Sequence, residues 1–191
     1  TIKVKTLCAA DFGVPQIRER VFIIGIRNDL NLEWEFPEGD KEWLTIEDAI
    51  SDLPVVGEGE SKTEYDKIPL TNYQAIMRKG SDSLTEHFCG VYGDKIRKVI
   101  QTVREGQGKN DFNALVDAGV IEEKYRLTSG FANTYGRLKR NEPSTTITNN
   151  LATPSGLRCI HYEQDRALTP REGARIQSFP DWYQFEGNRT D

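Results

Sequence analysis

Gln16, Arg18 and Arg20 stand at alternate positions immediately before the apolar run Val21–Ile26. In an extended chain, alternate side chains share a face. One amide and two guanidiniums are therefore expected to project together, and the run that follows reads as a strand buried on both sides. Adjacent guanidiniums repel each other unless something anionic or carbonyl-rich lies opposite. Their forked donors suit phosphate oxygens and base edges. The bare triplet is equally compatible with a charged strand crossing that uses Glu19 as its counter-ion.

A second group lies near the other end. In Thr169-Pro170-Arg171-Glu172, Thr169 is placed to cap a helix, Pro170 takes its first position, and Glu172 completes a capping box. Pro180 follows the last turn, and Ile176 and Phe179 can face a core. Arg171 and Arg175 are four residues apart and share a face, so they call for a carboxylate or phosphate partner.

Three polar stretches could present donors and acceptors to a major groove. They are Gln107, Lys109 and Asn110 in a glycine-rich segment; Arg137, Lys139 and Arg140; and Thr146, Thr148 and Asn149. His87 and His161 lack partners at metal-ligand or triad spacing, and no metal site is expected. Cys8, Cys89 and Cys159 form no C-x-x-C pair, which argues against a zinc site or a disulfide framework and for a reducing cytosol.

These residues need elements to hold them. Residues 2–8 alternate and read as a strand, Gly13-Val14-Pro15 breaks it, and Val21–Ile26 returns as an antiparallel partner. Thr45 caps a short helix with the stripe Ile46, Ala49, Ile50 and Leu53, and Pro54 ends it. Residues 55–66 are polar and read as a mobile linker, with the main boundary between there and residue 70. Thr71–Lys79 and Asp94–Glu105 read as helices, Gly106–Asn110 as a flexible loop, and Phe112–Gly119 as a further short helix. The expected class is mixed α/β (α+β): an antiparallel strand pair plus a small irregular domain.

The chain of 191 residues has 37% hydrophobic residues, enough for a core, and no apolar run of membrane-spanning length. Its net charge of −5 is unfavourable for phosphate contacts. Residues 31–66 hold 12 acidic and 2 basic side chains, a net of −10, which leaves +5 for the remainder. An acidic face towards solvent and a basic face towards nucleic acid are compatible with that division.

The segment DFGVPQIRERVFIIGIR (11–27) resembles the eighth conserved motif of the DNA cytosine-5 methyltransferases. RALTPREGARIQSFPDWYQF (166–185), which contains Thr169, Arg171, Glu172, Arg175 and Gln177, is similar to that family's ninth motif. YGRLKRNEPSTTITNN (135–150) and HYEQDR (161–166) resemble the segment leading into it. The resemblance implies that residues 1–66 are the last catalytic-domain strands and a linker, 67–165 a target-recognition domain, and 166–191 the ninth-motif helix and tail. It implies that Arg20 donates to O2 of an extruded cytosine while Arg18 and Gln16 support the site. It also implies S-adenosylmethionine as cofactor, duplex DNA as partner, a cytoplasmic setting and a place in a restriction-modification system. In the family's mechanism a cysteine thiolate adds to C6, C5 takes the methyl group, and loss of the C5 proton frees the enzyme.

The sequence departs from the pattern as well. No cysteine follows proline, and F-x-G-x-G, Glu-Asn-Val and G-N-x-V-P are absent. Cys8 stands where the family commonly has asparagine and reads as a packed thiol. Tyr162 replaces a common proline after His161. The expectation is a C-terminal portion, missing its N-terminal catalytic region and inactive alone. A tRNA cytosine-5 methyltransferase and a stand-alone DNA-binding subunit of a split methylase remain alternatives.

Overall fold

A computed structural model describes residues 2–40, 42–148, 151, 153, 155 and 159–187. Strand β1 (Ile2–Cys8) pairs antiparallel with β3 (Glu19–Gly25), from Ile2 opposite Gly25 to Cys8 opposite Glu19. Between them a 3-10 turn, Ala9–Phe12, closes on Gly13 at φ +77°, a conformation that glycine adopts without steric cost. The two-residue strand β2 (Gln16–Ile17) then runs parallel to β4 (Ser144–Thr145).

The expected strand was found, but its burial was not. Val21 is 62% exposed and Ile23 70%, and Ile2 and Val4 on the partner strand are equally open. A two-stranded ribbon has too little neighbouring chain to cover either face. Residues 32–40 and 42–43 form an acidic strap beside it, held by Lys3–Glu35 and by two bonds to Asp11. One is from Asp40 N–H (2.6 Å), the other from Trp43 Nε1 (2.8 Å).

Helix α1 (Ile46–Ile50) begins at Thr45, which forms a capping box with Asp48, and it buries Ile46, Ala49 and Ile50. Helix α2 (Asn72–Arg78) starts with a Thr71–Gln74 capping box, and α5 (Pro170–Ile176) with the expected Thr169–Glu172 box. These three helices share a core with Leu53, Leu84, Leu138, Tyr162 and Leu168. Each fully buried Ile or Leu there contributes about 1.5–3 kcal/mol. In α5, Gly173 has Leu151 directly against it: an added Cβ would lie 2.1 Å from Leu151 Cδ2. The one-residue gap lets the helix sit flush.

A second core gathers α3 (Asp94–Thr102) and α4 (Lys109–Asp117) around Phe112, Ile121, Leu127, Tyr135 and Ile160. The two cores meet where Leu138 N–H donates to Ile160 O (3.0 Å) and Ile160 N–H to Gly136 O (3.1 Å).

Three expectations change. Helix α4 starts at Lys109, so the glycine-rich loop is shorter than expected and Asn110 lies in the first helical turn. Residues 55–66 are not a mobile linker. Val56 is buried, Lys62 N–H donates to His87 O (2.9 Å), Leu84 N–H to Thr63 O (2.8 Å) and Cys89 N–H to Glu60 O (2.9 Å). Polar composition concealed a segment whose backbone is paired. Phe179 packs with Tyr183 and Phe185 in a half-exposed aromatic cluster rather than entering the core.

Candidate nucleic-acid and base-binding site

Arg18 and Arg20 line a cleft of about 390 Å³ with Leu7, Cys8, Phe12, Phe22 and Pro37. The ribbon supplies both ends of this wall, since Leu7 faces Arg20 and Cys8 faces Glu19 across β1–β3. Pro37 of the acidic strap closes another side. Arg20 donates from Nη1 to Glu19 O (2.6 Å), and Arg18 has no side-chain partner among the described residues. Two cations beside apolar walls, in a space open to solvent, favour a flat ligand that offers carbonyl or anionic acceptors.

Gln16 is not in this cleft, which corrects the expectation of three side chains in one row. The chain changes partner at Arg18, from β4 to β1, and Gln16 turns inward. Its Oε1 accepts from Ile147 N–H (3.1 Å) and its Nε2 donates to Ile176 O (3.5 Å). Gln16 therefore joins the base of the ribbon to the end of α5.

The arginines around α5 are closed off. Arg175 donates to Asp181 Oδ1 (2.8 Å) and to Asp52 Oδ1 (2.5 Å), and all three residues are fully buried. Tyr73 donates to the Arg175 carbonyl, and burial pushes that phenol up to about 12. Arg166 grips Glu172 with two bonds, 2.7 and 2.6 Å. Burial alone would raise the Glu172 carboxyl, but the charge and hydrogen bonds of Arg166 hold it well below the usual carboxylate range. Arg171 reaches Thr85, the Tyr183 carbonyl (2.8 Å) and Glu86 (3.3 Å). Gln177 ends the helix: its backbone N–H bonds back into α5, and its side chain is exposed. Direct phosphate contact by Arg175 is excluded by this enclosure.

Both histidines are buried structural groups. His87 bridges Thr169 Oγ1 and Pro54 O, each at 2.9 Å. His161 Nδ1 accepts from the Glu163 and Gln164 N–H groups, both at 3.0 Å. Burial, helped by Arg166 and Arg137, lowers the His161 imidazole to about 4.

The candidates for reading bases fare unequally. Arg137 is buried and donates to Val103, Ile100, His161 and Gln164 carbonyls and to Asp165, so it cannot face DNA as expected. Its tyrosine–glycine context gave no hint of that enclosure. Lys139 pairs with Glu142 (2.8 Å), and Arg140 with Glu47 (3.0 Å) and Glu163 (3.4 Å). The Thr146 hydroxyl donates to Ile17 O (3.0 Å). Thr148 is half-buried, and Asn149 lies outside the described residues. Lys109 donates to the Ser129 and Gly130 carbonyls at 3.0 and 2.9 Å. Gln107 Oε1 accepts from Arg104 N–H (2.8 Å), while the Asn110 side chain is exposed.

The clean separation of acidic and basic faces also fails. Glu35, Glu47, Asp52 and Glu58 of the acidic segment pair with Lys3, Arg140, Arg175 and Arg97 of the basic remainder. No group of three or more His, Cys, Asp or Glu suited to a metal occurs among the described residues, and no described helix is long and apolar enough to cross a membrane.

Comparison with known proteins places this architecture. The chain is 35% identical over 96% of its length to the type II methyltransferase M.DdeI of Desulfomicrobium norvegicum, covering 45% of that protein. It is 33% identical over 95% of its length to M.NgoFVII of Neisseria gonorrhoeae, covering 41% of it. The chain thus spans less than half the length of these relatives. A solved prophage-encoded chain from E. coli, described as a DNA modification methyltransferase, shares the fold at a TM-score of 0.64 and 22% identity. That match covers 97% of this chain and 52% of the other. Residues 1–191 match, from end to end, the family described as C-5 cytosine-specific DNA methylase, and the chain belongs to that family.

Proposed function

We propose that this chain is the base-holding and target-recognition portion of a DNA (cytosine-5)-methyltransferase of a restriction-modification system, which methylates C5 of cytosine in duplex DNA. What supports the reading, beyond family membership, is one observation: Arg18 and Arg20 line an open cleft with apolar walls, free of carboxylate partners. An extruded cytosine is a flat ring with acceptors at O2 and N3. Phe12, Phe22 and Pro37 offer the ring apolar surface. Arg20 donates to O2, and its fixed charge stabilises electron density pushed into the ring when a thiolate adds at C6. Arg18 strengthens the positive field at the cleft's mouth. Gln16 is a positioning residue that fixes the ribbon against α5.

The methyl donor of the family is S-adenosylmethionine, and this cleft does not fit it. Among the described residues, no carboxylate lines the cleft to take ribose hydroxyls or an amino acid's ammonium group. Donor binding and the attacking thiolate are assigned to chain outside these 191 residues, in which no cysteine follows proline. Residues 67–165 are the target-recognition part in this reading, although the first core joins them to α1 and α5.

The test is transfer of labelled methyl groups to duplex DNA by the full-length protein. Incorporation at C5 of cytosine in DNA, with none into tRNA, is expected, and none by the 191 residues alone. Methylation of structured RNA in preference to duplex DNA would overturn the reading.

A further inference from the structure

With most of the expected base readers occupied, attention shifts to a second cleft of about 240 Å³, bounded by Gly106, Gln107, Gly108 and Asn110 on one side and by Asn133 and Gly136 on the other. Lysine and arginine are absent from its lining, and the one carboxylate there, Asp111, is turned onto Gly108 N–H (2.9 Å). Asn110 and Asn133 are exposed, and neither side chain has a hydrogen-bond partner among the described residues.

Beside them stands Phe131. At 79% exposure it is the most open of the large hydrophobic side chains described. Its loop is nevertheless fixed. The Phe131 carbonyl accepts from both the N–H (3.1 Å) and the hydroxyl (2.8 Å) of Thr134. Lys109 ties the Ser129 and Gly130 carbonyls to the start of α4, and Gly130 makes the turn at φ +88°. A phenyl ring held in solvent on a backbone fixed in this way is pre-organised for contact, so a partner would bind it at little ordering cost.

Resting on the function proposed above, we infer that this cleft reads an A·T base pair of the target sequence in the major groove. An asparagine amide matches adenine, donating to N7 and accepting from the N6 amino group, whereas guanine's paired acceptors call for Arg or Lys. The cleft presents amides and no cation. Phe131 supplies the apolar contact that recognises the thymine 5-methyl group. Arg104 opens the turn that ends in the cleft and has no carboxylate partner among the described residues, which suits it to the adjacent phosphate. Neither Asn133 nor Phe131 carried a signal in the sequence, because only the fold brings 131–136 against 106–110.

The full-length protein, given a duplex library randomised around cytosine, reveals its target when the methylated cytosines are sequenced. The expected motif contains an A·T pair. Asn110→Ala or Asn133→Ala lowers discrimination at that pair by roughly ten- to a hundredfold and leaves preference at the other positions intact. Replacing thymine with uracil, or adenine with 7-deazaadenine, weakens methylation by the parent protein. Phe131→Ala is indifferent to the uracil change, and Phe131→Leu retains the preference for thymine. All these side chains are exposed, so loss of folding is not expected and unchanged thermal melting checks it. A motif of G·C pairs alone, or an unaltered motif in all three alanine variants, overturns the inference and leaves the methyltransferase assignment standing. A parent protein that methylates no duplex DNA defeats both.

Discussion

Arginine has two fates in this molecule. Along the ribbon, Arg18 and Arg20 line an open cleft and meet no carboxylate among the described residues. Around α5, Arg166, Arg171 and Arg175 are fully buried, with carboxylates and carbonyls on their donors. The side chains are chemically identical, so the contrast comes from what surrounds them. Two desolvated carboxylates, Asp52 and Asp181, share the Arg175 guanidinium, and removing the arginine takes from both their close buried cation. A guanidinium left in a solvated cleft stays available to a ligand. Fold and function divide along this line.

The sharpest test of the contrast removes one arginine from each region. Arg175→Ala leaves Asp181 to the Tyr65 hydroxyl and Asp52 to the longer Arg78 contact (3.4 Å), and should cost about 3–5 kcal/mol, read as a fall in the urea midpoint. Arg20→Ala should leave that midpoint nearly unchanged while turnover of the full-length enzyme falls by about 10²–10³-fold, as for loss of a donor that meets developing charge. Similar losses of stability in both variants would mean that Arg20 is structural, and the comparison would fail.

How legible this was follows from the same contrast. Local signals survived well: the Thr45 and Thr169 caps and the α1 stripe depend on neighbours within a few residues, and β1–β3 joins two consecutive strands across one break at Gly13-Val14-Pro15, so the sequence shows these directly. Burial decided by distant chain did not. Arg137 looks like a surface cation in Tyr-Gly-Arg-Leu-Lys-Arg, yet α3 and the 161–165 turn enclose it from 24 to 37 residues away. The polar run 55–66 looks like a linker because its partners, 84–89 and Gln164, are remote in sequence. The cleft arginines were legible only through their place in a family motif. Nothing in their spacing distinguished them from those around α5.

A smaller effect probes the closed region through pH. Burial lowers both His87 and His161, the latter to about 4. The unfolded chain takes up these protons near the ordinary value of 6.5, while the folded state takes them up only at lower pH. Stability should therefore be full above pH 6.5 and decline as pH falls towards 4, by about 2 kcal/mol from His161 alone at pH 5. Glu172, held low by Arg166, adds its own loss only below about pH 4.5. His161→Asn, whose amide oxygen can accept from Glu163 N–H, should flatten the urea-midpoint slope between pH 6.5 and 5. An unchanged slope would show that the imidazole titrates normally.

The smallest expected effect concerns the cleft itself. Cys8 lines it beside Arg18 and Arg20, whereas Cys89 and Cys159 are buried, and burial pushes the Cys159 thiol up to about 12. A thiol next to two guanidiniums invites the idea that Cys8 attacks the base. Its position argues otherwise: it sits at the end of β1 opposite Glu19, no proline precedes it, and it forms wall together with Leu7 and Phe12. Cys8→Ser should therefore lower turnover of the full-length enzyme by less than about tenfold, as for a contact near the reacting ring, whereas loss of a nucleophile abolishes covalent addition. A collapse of turnover in that variant, with its thermal midpoint intact, would make the ribbon both the binding wall and the reacting group. The open region would then do far more of the chemistry than its two arginines suggest.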